Sequence, residues 1–115
     1  MKNKEVITAL SALAQDSRLA IYRLLVKRGP EGYPAGEIAE RLRIPGPTMS
    51  FHLKELTQAG LLTVRKESRY LHYSAHFERM TAVLEFLTVN CCSLATDCSP
   101  GTCAPARSAT RRKVA

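Results

Sequence analysis

The stretch from Ala35 to Gly60 constrains the fold more than any other part of the chain. Ile38, Ala39 and Leu42 fall on one face of a short helix, at i, i+1 and i+4. Met49, Leu53 and Leu56 take up helical spacing again, and Gly60 stands where that second helix must stop. Between them, Ile44-Pro45-Gly46-Pro47 is turn chemistry, and Pro47 suits the first helical position, where an N–H would have no partner. Two short amphipathic helices around a tight turn are the outline of a helix-turn-helix, whose second helix is shaped to enter a DNA major groove.

The flanks fit that outline. Val6, Ile7, Leu10 and Leu13 form a helical stripe ending near Gln15. Asp16 and Ser17 can cap the next helix, about Ser17 to Arg28, which buries Ala20, Ile21, Leu24 and Leu25 and stops at Gly29-Pro30. Gly29 to Pro34 reads as a loop without regular structure. After Gly60 the period shortens to two: Leu62-Thr63-Val64-Arg65 and Tyr70-Leu71-His72-Tyr73 alternate on either side of Lys66 to Arg69. That is a hairpin with a basic tip, and a lone hairpin must lean on the helices to be stable. A last helix, about Phe77 to Asn90, carries Phe77, Met80, Val83, Leu84 and Leu87 on one side and Ala82, Phe86 and Val89 on others. A helix apolar over so much of its girth wants more than one neighbour. A second copy of the chain, seated on Leu10 and Leu13 of the first helix and Met80, Leu84 and Leu87 of the last, would supply it.

The fold class expected is therefore mainly α with a small β-hairpin: a dimeric winged helix-turn-helix over residues 1–90. Residues 91–115 read as a cysteine-containing basic tail, expected to be mobile. The net charge of +7, of which residues 1–90 hold +4, favours a polyanionic partner. With no 18-residue apolar run, no membrane span is expected, and the opening Met-Lys-Asn-Lys-Glu leads into an amphipathic helix instead of a secretory segment. A cytoplasmic chain with reduced thiols is the expectation. No organic cofactor and no enzymatic activity are expected: no Ser/His/Asp or paired-carboxylate arrangement stands out, and His52, His72 and His76 have structural explanations.

Placing Met49, Leu53 and Leu56 inward at 100° per residue turns Phe51 and Gln58 most directly outward, flanked by Thr48, Lys54 and Glu55. Ser50 and His52 sit at the borders. Thr48, Ser50, Phe51, His52, Lys54 and Gln58 are thus the groove candidates for double-stranded operator DNA. Solvated polar positions and a packed histidine would explain most of them as well, but an outward Phe51 asks for a partner. Arg65, Lys66 and Arg69 at the hairpin tip suit phosphate or minor-groove contact.

All four cysteines, Cys91, Cys92, Cys98 and Cys103, lie within thirteen residues. Thiolates select soft metals and metalloids, and three in one segment can surround one atom. Neither Cys-x-x-Cys nor a His pair is present for zinc. A thiol-oxidation switch is the competing reading.

Ala14-Gln15-Asp16-Ser17-Arg18-Leu19-Ala20-Ile21 resembles the helix-opening segment of the ArsR/SmtB family of metal-responsive winged-helix repressors. Thr48-Met49-Ser50-Phe51-His52-Leu53-Lys54, with Leu56 and Ala59-Gly60-Leu61, is similar to its recognition helix, and Arg65 to Tyr73 to its wing. The resemblance covers roughly residues 5–90. It implies a homodimer that represses its own operon and leaves DNA when inducer binds. The tail is similar to that of arsenite sensors, which implies arsenic(III), with antimonite or an organoarsenical as alternatives, on Cys91, Cys92 and Cys98. A cadmium or lead sensor would recruit Cys103 as a fourth ligand. The chain departs from the family where Pro45 replaces the usual Ser cap, Gly46 the polar residue after it, and Ser68 the wing's turn glycine; Cys103 has no counterpart.

Overall fold

Local chemistry sets each boundary in the computed structural model, which describes residues 1–95. Helix α1 spans Asn3–Leu13, and Glu5 accepts the Lys2 backbone N–H at 3.0 Å to close its first turn. Its core stripe is Val6, Ala9 and Ala12, while Ile7 and Leu10 are exposed and Leu13 is half-buried. The stripe expected from Val6, Ile7, Leu10 and Leu13 is thus rotated, because two small alanines let α1 approach its neighbours closely. Helix α2 spans Asp16–Arg28. Its cap is Gln15, neither Asp16 nor Ser17: the Gln15 side chain accepts the Arg18 N–H at 2.9 Å. Ile21, Tyr22 and Leu25 are buried, Leu24 is half-buried and Ala20 is exposed.

The loop expected to be irregular contains a strand, β1, Tyr33–Pro34. It pairs antiparallel with β3, Tyr33 opposite Tyr73 and Pro34 opposite His72. Pro34 is tolerated because β1 lies at the edge of the sheet. Gly32 makes the approach feasible: a Cβ there would stand 2.2 Å from the Tyr73 carbonyl oxygen, and its φ is 69°. The Tyr33 ring is held by two guanidiniums, Arg28 at 4.8 Å and Arg41 at 4.6 Å from its centroid. That contact ties β1 to the helices on either side of it.

Helix α3, Ala35–Leu42, ends at Arg43, which takes a left-handed φ of 56° so that the Ile44 N–H reaches the Ala39 carbonyl at 3.0 Å. Helix α4, Gly46–Gln58, starts with Pro45 as its N-cap and no side-chain cap, as the sequence implied; Pro47 is its second residue instead of its first. Its end is a Schellman motif. Gly60, φ 83°, donates to the Thr57 carbonyl, and the Leu61 N–H donates to the Leu56 carbonyl at 3.1 Å. Leu56 and Leu61 are both fully buried.

Strands β2, Leu62–Glu67, and β3, Tyr70–Ala75, make the expected hairpin and complete an antiparallel sheet in the order β1-β3-β2. The two-residue turn Ser68-Arg69 holds Ser68 at a positive φ of 57°, a position that glycine would take without strain. Ile21, Leu25, Ile38, Met49, Leu53, Leu56, Leu61 and Val83 form the core.

Helix α5 spans Phe77–Thr88, two residues shorter than expected. The chain divides within it into two compact units, Met1–Val83 and the part from Leu84 onward. In the second, the Thr88 hydroxyl donates back to the Leu84 carbonyl at 3.0 Å, and Asn90 and Cys92 take left-handed φ values of 59° and 65°. These turn the chain out of the helix, so Cys91 lies in a turn and does not extend the α5 stripe. Among the described residues, no helix is long and apolar enough to cross a membrane.

Candidate nucleic-acid interface

Burial of Met49, Leu53 and Leu56 leaves Thr48, Ser50, Phe51, Lys54 and Gln58 of α4 exposed, as the helical spacing requires. Phe51 keeps 54% of its surface accessible, a large apolar ring offered to solvent on an otherwise polar face. His52 is the exception among the groove candidates. It is only 7% exposed, and its Nδ1 stands 3.4 Å from Arg18 Nη1, so it cannot touch a base from that position. Burial first, and the Arg18 charge second, hold its imidazole below the ordinary histidine range and therefore neutral.

The wing stands beside this face. Ser50, Lys54 and Gln58 of α4 and Val64, Leu71 and Tyr73 of the hairpin line a groove of about 300 Å³. Lys66 and Arg69 are exposed near the hairpin turn. Arg65 is differently placed: its guanidinium reaches the Pro30 and Glu31 carbonyls at 3.5 and 3.3 Å and the Glu67 carboxylate at 3.4 Å. It braces the wing against the loop before β1. The exposed Tyr70 and Leu71 also belong to this surface. The sequence reading gave them no role, although an aromatic beside a two-residue turn was the available signal.

Of the residues named for pairing with a second copy, Leu10, Leu84 and Leu87 are exposed, and Leu13 and Met80 are half-buried. In the turn after α5, the Cys91 and Cys92 sulfurs lie 3.3 Å apart. The hydrogen bond with Cys91, which favours the protonated form of Cys92, followed by burial and the Cys91 charge, pushes the Cys92 thiol above the ordinary range. Among the described residues, no three His, Cys, Asp or Glu side chains gather into a metal-sized group. Cys98 and Cys103 lie outside the described residues, as do Arg107, Arg111, Arg112 and Lys113.

The fold and the exposed face of α4 define a winged helix-turn-helix protein. The family described as "Helix-turn-helix domain" matches residues 13–65, the span from the end of α1 to the middle of β2. The chain is 44% identical over 63 residues to the uncharacterized HTH-type transcriptional regulator YceK of Bacillus subtilis, a match covering 55% of this chain and 62% of that one. It is 29% identical to the transcriptional activator HlyU of Vibrio cholerae over 72% of this chain and 74% of HlyU. A solved structure of HlyU from Vibrio cholerae superposes with a TM-score of 0.60 and 26% identity, over 84% of this chain and all of that one. An ArsR-like transcriptional regulator from Rhodococcus sp. RHA1 gives a TM-score of 0.64 at 25% identity, covering 73% of this chain and 76% of that one. Its likeness is thus to ArsR-type and HlyU winged-helix regulators, and the names they carry are those of transcriptional regulators, not enzymes.

Proposed function

We propose that the chain is a homodimeric transcriptional repressor that binds operator DNA through α4 and the wing and releases it when trivalent arsenic binds its cysteine thiolates. The observation that carries the DNA reading is the exposed face of α4, with Phe51 at its centre, beside a wing bearing Lys66 and Arg69. Thr48, Ser50, Lys54 and Gln58 offer hydrogen bonds to base edges and phosphates; Phe51 offers a ring to a thymine methyl. The exposed Leu10, Leu84 and Leu87 support a second copy as partner, which would set two recognition helices about one helical turn, some 34 Å, apart on the duplex.

The inducer reading rests on sulfur chemistry. Soft trivalent metalloids bond thiolates strongly, and two sulfurs 3.3 Å apart fit one such centre without rearrangement. Cys91 and Cys92 would hold it with Cys98 as third ligand, each thiol replacing one hydroxyl of arsenous acid and its proton leaving with that hydroxyl as water. Antimonite shares this chemistry. DNA and inducer then oppose one another reciprocally, and couplings of about 1–3 kcal/mol correspond to roughly 5- to 150-fold weaker DNA binding.

The same pair of sulfurs also suits a thiol-oxidation switch, and a four-thiolate cadmium or lead site would need Cys103. One titration separates these. The duplex that the wild-type chain enriches from a random-sequence library is labelled, bound, and titrated with arsenite, cadmium and peroxide. Arsenite should release it at the lowest concentration. Cys91→Ser, Cys92→Ser and Cys98→Ser should bind the duplex but not release it with arsenite, and Cys103→Ser should respond as wild type. Release by peroxide alone would replace arsenic with oxidation; loss of response in Cys103→Ser as well would make the site a four-sulfur one.

A further inference from the structure

The guanidinium of Arg18, on α2, reaches both α1 and α4. Its backbone N–H is fixed by the Gln15 cap at 2.9 Å. Its Nε donates to the Ala12 carbonyl at 2.7 Å, one of the carbonyls that the end of α1 leaves without a helical partner. Its Nη1 lies 3.4 Å from Nδ1 of His52, the middle residue of α4. Arginine only donates, so Nδ1 is the acceptor in this contact and the imidazole proton sits on Nε2. The His52 ring in turn packs at 5.7 Å and 58° against the ring of Phe51, the outermost apolar group of the recognition face.

We infer that Arg18 is a positioning residue for DNA recognition: through His52 it fixes the rotation of α4 about its own axis, and with it the place of Phe51 and its neighbours against the duplex. This rests on the DNA-binding reading above. The core contacts of Met49, Leu53 and Leu56 decide which face of α4 points outward, and the Arg18–His52 contact adds a directional restraint on its fine rotation. A helix with side chains is about 10–12 Å across, so a rotation of about 10° moves outward tips by about 1 Å. Base-edge hydrogen bonds lose their geometry over that distance, whereas contacts to phosphate charge change little. Arg18 suits the task as lysine would not, because a planar fork can serve the α1 carbonyl and the imidazole together. Its neutral partner is consistent with this, since burial and the facing guanidinium both disfavour an imidazolium.

The test is a specificity ratio: affinity for the duplex enriched by wild type over affinity for a scrambled duplex of equal length. His52→Leu keeps the buried volume and removes the acceptor. His52→Asn restores an acceptor near the position of Nδ1. The ratio should fall about tenfold per half-site in His52→Leu, the size of one lost base contact in each, with scrambled-duplex affinity unchanged. It should recover in His52→Asn. Arg18→Met, which leaves His52 in place, must repeat the loss and decides the matter if His52→Leu does not fold. An unchanged ratio in His52→Leu and Arg18→Met overturns the inference while leaving the DNA reading intact. So does an equal loss on both duplexes, or a loss that His52→Asn fails to restore, because either would mark a merely structural contact. If wild type enriches no duplex, the DNA reading itself fails and this inference falls with it.

Discussion

The three cations of the wing should separate cleanly in a salt titration. Lys66 and Arg69 are exposed near the turn, whereas the guanidinium of Arg65 is occupied by the Pro30 and Glu31 carbonyls and by Glu67. Each phosphate neutralised contributes about 0.9 to the slope of log affinity against log salt. Replacing Lys66 and Arg69 by alanine removes two cations per wing and four per dimer, a slope change of about 3.6. Between 50 and 200 mM salt the wild type should therefore lose about 150-fold more affinity than the double variant does. Arg65→Ala should leave the slope nearly unchanged. It should instead lower stability, by at most about 1 kcal/mol, because its hydrogen bonds to the two carbonyls are exposed. Fluorescence anisotropy on the enriched and scrambled duplexes, with thermal melts of each variant, reads both effects. The reasoning fails if the double variant keeps the wild-type slope, or if Arg65→Ala alone flattens it by as much while melting like wild type.

Three further outcomes are expected. Leu84→Glu places a charge on an exposed apolar position of α5 and should give monomers in sedimentation velocity; an unchanged dimer would refute the pairing surface. Ser68→Gly removes a positive-φ serine from the hairpin turn and should raise stability by up to about 1 kcal/mol in urea melts, since the left-handed region costs a non-glycine residue roughly 1–2 kcal/mol and glycine returns part of that as backbone entropy. His52 has a folded-state pKa below its ordinary 6.5, so the unfolded chain takes up the proton first as pH falls. Its contribution to stability is complete above about pH 6.5 and is lost as pH drops through the folded value. Melts from pH 7.5 to 5 should show this loss in wild type and a smaller one in His52→Asn.

The helix-turn-helix and the hairpin were legible because each is written in a strong period, 3.6 residues around Met49, Leu53 and Leu56 and two residues around Val64 and Tyr73. What escaped depends on partners distant in sequence. Strand β1 is two residues long and contains a proline, so only its pairing with β3 makes it a strand. The buried side of α1 falls on Val6 and two alanines, and alanines carry little hydrophobic signal beside the larger, exposed Ile7 and Leu10. His52 sat on a border of the wheel, and nothing local reveals that Arg18, 34 residues earlier, faces it. Arg65 read as a tip cation because its carbonyl acceptors come from a loop 34 and 35 residues away.

The proline in β1 also bears on how copies of this chain can meet. A sheet grows when a bare strand edge finds another, and β1 offers two residues, one of which has no N–H to give. The opposite edge, β2, is six residues long but carries Arg65 and Lys66 in succession near its exposed end. Two such edges brought together would crowd cations against cations. Growth by strand addition is discouraged on both sides of the sheet. Self-association is left to the helices, where it can close as a pair instead of running on as a fibre.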